Sequence, residues 1–305
     1  MGKKFSGASQ IMSRFRGWIQ AGAALLTNLH LPNFLKGKLY QGAGKTVCVP
    51  GLNCYSCPAA SGACPIGAFQ AVVGSSKFSF SYYITGFLIL LGVLLGRFIC
   101  GFLCPFGWFQ ELLHKIPTKK FSTKKLKPLR YLKYAVLLVM VFLLPAFLVN
   151  DVGMGNPFFC KYLCPQGVLE GAIPLSLANS GILSALGSLF TWKFGVLLTV
   201  IVLSVVFYRP FCKWLCPLGA FYALFNRVSL FQIKVDKNKC VSCGKCAKAC
   251  KMDVDVTKTP NHTECIRCGM CIRTCPTGAV RFRYGFGDGK DKTKAAKKAA
   301  ENNKQ

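Results

Sequence analysis

Two runs of closely spaced cysteines near the C-terminal end constrain the fold of this chain more than any other feature. They read Cys240-x2-Cys243-x2-Cys246-x3-Cys250 and Cys265-x2-Cys268-x2-Cys271-x3-Cys275-Pro276. A cubane iron–sulfur cluster takes four thiolates, and in paired runs of this type three come from one run and the fourth comes from the other. The sequence therefore predicts two [4Fe–4S] clusters, one held by Cys240, Cys243, Cys246 and Cys275, the other by Cys265, Cys268, Cys271 and Cys250.

Two other uses of cysteine fit this spacing less well. Zinc sites favour separate pairs of CxxC cysteines, and disulfide scaffolds are typical of short secreted chains. Each run here has four cysteines at fixed x2-x2-x3 spacing. We therefore expect an α+β ferredoxin-like domain of the bacterial two-cluster type over residues 231–284, and a chain that carries electrons.

The rest of the chain has the composition of a membrane protein. Of its 305 residues 52% are hydrophobic, and the mean hydropathy is +0.38. A membrane-spanning helix needs about 20 mostly apolar residues, and four segments meet that length. The sequence therefore predicts a polytopic α-helical domain over residues 1–230, with transmembrane helices at 17–35, 82–99, 131–149 and 190–208.

The positive residues indicate the orientation of these helices. Lys and Arg concentrate before the first predicted helix, between the second and third, and after the fourth. Cytoplasmic loops carry this excess, so we expect a multi-pass protein of the plasma (inner) membrane with both termini and the ferredoxin-like domain in the cytoplasm. The net charge of +29 is then explained by positive residues next to the apolar segments, with membrane lipid as the partner. Nucleic acid is not expected as a partner, since no nucleic-acid-binding signature is present. A basic segment at 285–305 is predicted to be disordered.

A Cys-Pro-x-Gly motif recurs four times in the apolar part, beginning at Cys64, Cys104, Cys164 and Cys216. The last three copies have a second cysteine four residues earlier, at Cys100, Cys160 and Cys212. The alternation of predicted helix and motif indicates two parallel repeats, at about 14–115 and 128–228. Proline suits the first position of a helix, so we expect a short helix after each motif.

The predicted topology sorts these cysteines by membrane face. Two from each repeat meet at the cytoplasmic side, and the others meet outside. This predicts a third [4Fe–4S] cluster, the inner one, on Cys100, Cys104, Cys212 and Cys216, and a fourth, the outer one, on Cys57, Cys64, Cys160 and Cys164. A disulfide involving Cys48 or Cys54 is the alternative at the outer face, which can be oxidising.

The motifs FIC100GFLC104P, FFC160KYLC164P and RPFC212KWLC216P, followed by the eight ferredoxin-type cysteines, resemble the membrane-bound polyferredoxins. That group includes the quinol-dehydrogenase subunit of periplasmic nitrate reductase and the nitrous-oxide reductase regulator. The resemblance covers roughly residues 14–284. It implies an electron-transfer protein of the inner or plasma membrane.

We therefore expect transmembrane electron transfer between a cytoplasmic reduced donor, ferredoxin-like or flavin-containing, and an extracytoplasmic redox acceptor or quinone. Partner subunits would supply the substrate chemistry. One alternative is a quinol dehydrogenase in which Glu111 and His114, three residues apart on one helix face, handle protons. The other is a copper or iron reductase or assembly factor, because thiolates also bind Cu(I).

Overall fold

A computed structural model describes residues 2–75, 81–151, 154–184 and 186–285 of the chain. The basic segment predicted to be disordered lies outside these residues, except for Gly285.

The chain begins with helices α1 (Gly2–Arg14), α2 (Arg16–Thr27) and α3 (Asn33–Lys36). The predicted span at 17–35 is therefore not one helix. The side chain of Asn28 donates to the carbonyl of Ala24 at 3.1 Å, and Pro32 follows before the helical path resumes. At about 1.5 Å per residue, α2 is about 18 Å long, shorter than the roughly 30 Å hydrocarbon core of a bilayer.

A loop with a 3₁₀ turn at Ala43–Thr46 leads to α4 (Pro65–Gly74) and α5 (Tyr82–Leu95). Gly96 has φ 54°, a left-handed conformation that favours glycine and ends α5 after 14 residues. The chain then forms α6 (Phe98–Phe102) and α7 (Pro105–Leu113). The predicted span at 82–99 is thus shorter than expected and breaks just before the first cysteine of the inner motif.

One long helical stretch, Leu126–Phe147, matches the predicted third span. It runs through a 3₁₀ start at Thr123–Tyr131, α8 (Leu132–Val136), a π-helical segment at Leu137–Leu143 and α9 (Leu144–Phe147). Pro145 has no N–H to give to the preceding turn, which accounts for wider turns just before it.

The second half of the apolar region repeats the short-helix pattern. Two π-helical turns, Phe159–Leu163 and Val168–Ala172, are followed by α10 (Ile173–Ala178) and α11 (Ser180–Ser184). Then come α12 (Ser188–Val206), α13 (Pro210–Trp214) and α14 (Pro217–Phe225). Among the described residues, two helices, Leu126–Phe147 and Ser188–Val206, are long and apolar enough to cross a membrane.

Three of the four Cys-Pro-x-Gly motifs start a helix as the sequence predicts. Cys64, Cys104 and Cys216 are extended N-cap residues, and the proline after each is the first helical residue of α4, α7 and α14. Proline suits this position because the N–H it lacks would have no partner inside the helix. The motifs therefore sit at helix N-termini, with each cysteine just outside the first turn.

The C-terminal region is a small α+β unit built on one antiparallel strand pair. Strand β1 (Phe231–Val235) pairs with β2 (Val280–Tyr284), and helices α15 (Lys245–Lys248) and α16 (Met270–Thr274) lie between them in sequence. Ile233 faces Phe282 across the pair and both are buried. The strand pair thus closes the loops that hold the eight ferredoxin-type cysteines.

The two regions share one hydrophobic core. Met252, Val254 and Ile266 of the ferredoxin-like unit belong to the same buried cluster as Cys100, Cys104 and Cys216. The candidate cysteine sets are therefore held in a single packed body, not on separate domains joined by a linker.

Candidate metal centres

The two ferredoxin-type runs have the same backbone shape. Ser242 (φ 51°) and Arg267 (φ 52°) each stand just before the second cysteine of their run, and Gly244 (φ 68°) and Gly269 (φ 78°) each follow it. Left-handed residues at matching places turn the backbone sharply twice, which brings the thiols of one run toward a common point.

One of the two ferredoxin-type sets encloses a small cavity. Its four cysteines line a space whose other walls are apolar. The lining cysteines are Cys250, Cys265, Cys268 and Cys271. The structure thus brings together the second predicted set, with Cys250 reaching across from the other run.

The first predicted set lies nearer the surface. Cys246 is buried and packs in the same hydrophobic cluster as Cys275. Cys240 is half-buried and Cys243 is exposed. This set of cysteines therefore reaches the protein surface at Cys243.

The four cysteines of the predicted inner cluster also lie close together. Cys100, Cys104, Cys212 and Cys216 line one small cavity, and all four are at most 8% exposed. Burial raises the pKa of Cys104 to about 12, with further contributions from Cys212 and Cys100. Four crowded thiols in a dry cavity fit a cationic metal centre, which would hold them as thiolates.

Two buried arginines connect the two halves of the apolar region next to this cavity. Arg97 and Arg209 each precede the first cysteine of a CxxxCP pair by three residues, and both are fully buried. Arg97 donates to the carbonyl of Cys212 at 3.4 Å, and Arg209 donates to the carbonyl of Cys100. Sequence reasoning missed these residues, although the repeated Arg-x2-Cys spacing was a visible signal.

The outer cysteines line a larger cavity of about 540 Å³, part of it open to solvent. Cys64, Cys160 and Cys164 are among its lining residues, as expected. The fourth thiol there belongs to Cys54, which lies 3.7 Å from where a Cβ of Gly167 would be. The backbone N–H of Cys54 donates to Glu170 at 3.1 Å and holds the residue at this wall.

Cys57, the predicted fourth outer ligand, points elsewhere. It is not among the residues that line the outer cavity. Its Sγ lies 3.6 Å from Oδ1 of Asn28, and it packs with Ala59 and Ala60. A tight turn, in which Cys57 N–H donates to Cys54 O at 3.1 Å, links the two residues. In the structure Cys54, and not Cys57, lines the outer cavity.

All 18 cysteines of the chain lie within the described residues, and all are free thiols in the structure. The alternative of an outer disulfide through Cys48 or Cys54 is therefore not seen. Cys48 is buried and lines the outer cavity as a fifth thiol.

The inner and outer cavities are neighbours, contrary to the separation of about one bilayer core, roughly 30 Å, that opposite membrane faces imply. The side chain of Leu52 lines both of them. Next to it, a Cβ at Gly51 would lie 2.8 Å from Cα of Cys104, so only glycine allows this approach. The loop after the 3₁₀ turn at Ala43–Thr46 folds inward between the halves and brings the two cysteine groups together.

The inner cysteine motif also contacts the ferredoxin-like unit. Gly101, which follows Cys100 in α6, packs so tightly on the carbonyl of Ile266 that a Cβ there would overlap it. Arg267 donates to Leu95 O at 2.7 Å and to Asn226 O at 2.6 Å. The loop that carries Cys265 and Cys268 is thus fixed directly against the inner motif.

The residues predicted to handle quinol protons have different surroundings. Glu111 is ion-paired with Arg16 and Arg209 and accepts from Tyr208. Burial opposes its ionisation, but the two arginines outweigh burial and lower the pKa of Glu111 to about 2. The two arginines thus favour the ionised carboxylate, and such a carboxylate is poorly suited to exchange protons near neutral pH. Burial lowers the pKa of His114, whose ring meets Tyr208 edge-on at 5.5 Å.

Comparison with known proteins indicates that the chain binds 4Fe-4S clusters. A family model described as a 4Fe-4S binding domain matches residues 62–82, 79–124, 133–173 and 188–238, which together span about half of the chain. A second model with the same description matches residues 233–254 and 259–281. No solved structure matches the chain.

Several proteins with similar sequences match part of the chain. An uncharacterised protein of Methanocaldococcus jannaschii is 32% identical over 209 residues, 65% of this chain and 77% of its own. The methylamine utilization ferredoxin-type protein MauN of Paracoccus denitrificans is 28% identical over 187 residues, 61% and 56% of the two chains. The ferredoxin-type protein NapH of Haemophilus influenzae is 28% identical over 150 residues, 36% and 52%.

The chain spans about half the length of the two ferredoxin-type relatives. The resemblance drawn from the CxxxCP motifs is confirmed by these matches. With iron–sulfur models matching both the apolar region and the C-terminal unit, this chain belongs to the family of polyferredoxin-type 4Fe-4S electron-transport proteins.

Proposed function

We propose that this protein transfers electrons across the plasma (inner) membrane, between a reduced cytoplasmic donor and a membrane or extracytoplasmic acceptor, and that it holds four [4Fe–4S] clusters. The observation that carries the proposal is the close packing of successive cysteine sets in one body. Cys243 is exposed at one end, Ile266 meets Gly101 in the middle, and Leu52 lines both membrane cavities.

Membrane integration is supported by the exposed surfaces of the two long helices. Only 28% of the apolar window in Leu126–Phe147 and 17% of that in Ser188–Val206 is buried inside the protein. The core helix of a soluble protein would be mostly buried. Large side chains such as Trp192, Leu198 and Phe147 are more than half exposed, which suits contact with lipid.

The proposed topology has both termini and the ferredoxin-like unit in the cytoplasm. It is supported by the Lys- and Arg-rich segments before α2, around residues 115–130 and after α12. The shorter apolar helices, Pro65–Gly74 and Tyr82–Leu95 among them, would enter the bilayer without crossing it as separate spans.

Four sets of thiolates would hold the clusters in this proposal. Two are the ferredoxin-type sets, the third is the inner group, and the fourth is the outer group with Cys54 in place of Cys57. A [4Fe–4S] cluster supplies a one-electron carrier whose potential depends on charge, hydrogen bonds and exposure. The protein's part is to fix the thiolates, exclude water and set the local charge.

Charge around the surface set supports an acidic donor. Lys245 and Lys248 lie on α15, between the cysteines of the first run, and Lys239 precedes that run. Positive charge at an exposed redox site speeds association with a negatively charged partner. We therefore propose a reduced ferredoxin-like or flavin-containing donor with an acidic docking face.

An iron count on anaerobically purified full-length protein tests the proposal. Four cubanes require about sixteen irons per chain and an equal amount of acid-labile sulfide, whereas clusters in the ferredoxin-like unit alone require about eight. About eight irons would reject the conduit and favour a metal reductase or assembly factor. Menaquinol added to the oxidised protein tests the quinol dehydrogenase alternative, which predicts bleaching of the cluster absorbance.

Serine at Cys216 sharpens the test, because it removes one inner ligand without touching the ferredoxin-like cysteines. We expect Cys216→Ser to lose about four irons and one electron paramagnetic resonance (EPR) signal, the equivalent of one cubane. The control is Cys57→Ser, which replaces a buried cysteine that lines neither membrane cavity. Equal iron in Cys216→Ser and the wild type would contradict an inner cluster.

A further inference from the structure

Two buried glutamines make the same pair of contacts in the two cysteine groups. Gln70 in α4 and Gln110 in α7 each lie six residues after a Cys-Pro cysteine, 64 to 70 and 104 to 110. Both are 0% exposed. Each reaches from the first half of the chain to the first cysteine of a CxxxCP pair in the second half.

The contacts match closely in length. Nε2 of Gln70 donates to Sγ of Cys160 at 3.1 Å, and its Oε1 accepts from the backbone N–H of Phe159 at 3.0 Å. Nε2 of Gln110 donates to Sγ of Cys212 at 3.2 Å, and its Oε1 accepts from the backbone N–H of Phe211 at 3.2 Å.

The backbone contact fixes which amide atom faces the sulfur. A backbone N–H can only donate, so the oxygen of each glutamine must face it, and the NH₂ group must face the thiol. The orientation is therefore set by the protein in both groups. A residue that served only to fill space would not need this two-point arrangement twice.

The residues six positions after the Cys-Pro cysteines of the second half make different contacts. Glu170 follows Cys164 by six residues and accepts from Cys54 N–H at 3.1 Å, while Tyr222 follows Cys216 by six and donates to Pro50 O at 3.1 Å. These residues hold the loop between the cavities. Among the described residues, the side-chain amides that donate to these sulfurs are thus those of Gln70 and Gln110 in the first half, one for each cysteine group. Backbone N–H groups also donate to sulfur, as that of Gly219 does to Cys216 at 3.3 Å.

We propose that Gln70 and Gln110 are positioning residues that raise the reduction potentials of the outer and inner centres, each by donating one amide N–H to a ligand sulfur. The inference rests on the proposed clusters. A reduced centre has more negative charge on its sulfurs, so a fixed donor stabilises it more than the oxidised centre. Burial of both amides strengthens the effect.

The test compares Gln110→Met and Gln70→Met with the wild type in anaerobic redox titrations followed by EPR. Methionine keeps the length and volume of glutamine and removes the donor. We expect Gln110→Met to lower the midpoint of the signal that Cys216→Ser abolishes by about 59 mV, which is a tenfold change for one electron. Gln70→Met should shift only the outer signal, so each variant is the control for the other.

Unchanged midpoints in both variants, with wild-type iron content, would overturn the inference. If a variant fails to retain iron, a second measurement on the wild-type protein tests the inference. Wild-type protein labelled with ¹⁵N in its glutamine side chains should show ¹⁵N hyperfine coupling to the reduced inner centre, and absence of coupling would also overturn the inference. A wild-type chain with only about eight irons would instead reject the proposed function, which keeps the two failures distinct.

Discussion

At the scale of single residues, the outer cysteine group depends on a turn whose orientation could not be predicted from the cysteine spacing. Cys54 and Cys57 are three residues apart, and either could supply the fourth thiol of the outer group. Glu170 holds the backbone of Cys54 at the wall of the outer cavity, while Cys57 turns toward Asn28. The choice between them is made by a contact with a residue more than a hundred positions away.

Serine substitutions at these two positions should therefore differ. We expect Cys54→Ser to lose about four irons per chain and to abolish the outer EPR signal, because it removes a thiol from the outer cavity. Cys57→Ser should retain the full iron content. Iron analysis and EPR of both proteins measure this, and a loss in Cys57→Ser alone would restore the assignment made from the sequence.

At the scale of elements, a buried ion network fixes the ferredoxin-like unit to the helices. Glu264 lies between Arg97, at 3.0 Å, and Lys133, at 2.5 Å, and all three side chains are at most 4% exposed. Burial opposes ionisation of Glu264, but Arg97 and Lys133 outweigh it and lower its pKa to about 2. The acid thus joins α6 and α8 to the loop before Cys265.

Replacing Glu264 with Gln should destabilise this junction by about 3–5 kcal/mol, because the buried guanidinium of Arg97 loses its counter-charge. A lowered pKa contributes stability above the unfolded value of about 4.3, and that stability is lost only as the pH falls toward 2. The difference in stability between Glu264→Gln and the wild type should therefore shrink as the pH falls from about 4 toward 2, because Glu264 itself becomes neutral there. Denaturant unfolding in detergent over this range measures it, and a difference that does not shrink would contradict the assignment.

Close contact between α6 and the ferredoxin-like loop gives a second prediction at this scale. A Cβ at Gly101 would overlap the carbonyl oxygen of Ile266, so Gly101→Ala should force the elements apart and cost about 1–3 kcal/mol. Gly86 is the matched control, since it is also helical and has nothing within 4 Å of its Cβ position. There alanine should be neutral or stabilise by up to about 1 kcal/mol. Thermal unfolding of both variants distinguishes the sites.

At the scale of the whole molecule, the charge of +29 and the exposed end at Cys243 bear on how a donor approaches. Reduction by an acidic donor should slow as salt rises, because screening shortens the range of attraction to about 3 Å at 1 M ionic strength. Stopped-flow reduction at low and high salt measures this. Dithionite in place of a protein donor is the control, and a protein donor whose rate does not depend on salt would remove the case for electrostatic docking.

The sequence predicted much of this molecule because thiol chemistry is local. The x2-x2-x3 runs and the Cys-Pro helix starts follow from spacing, and the family follows from the resemblance of the CxxxCP motifs. The meeting of Cys100 and Cys104 with Cys212 and Cys216 was predicted from the internal repeat together with the predicted topology. Span lengths were less predictable, because Gly96 and the segment around Pro32 interrupt apolar segments that hydropathy treats as continuous.

Other features were decided only by tertiary structure, because they depend on contacts between residues far apart in the chain. Leu52 between two cavities, Cys54 in place of Cys57, and the arginines and glutamines that cross between halves all involve such contacts. A cysteine pattern determines which thiols are present and how tightly each loop turns. Which thiols share a cavity, how far apart the cavities lie and what charge surrounds them depend on how the two halves pack.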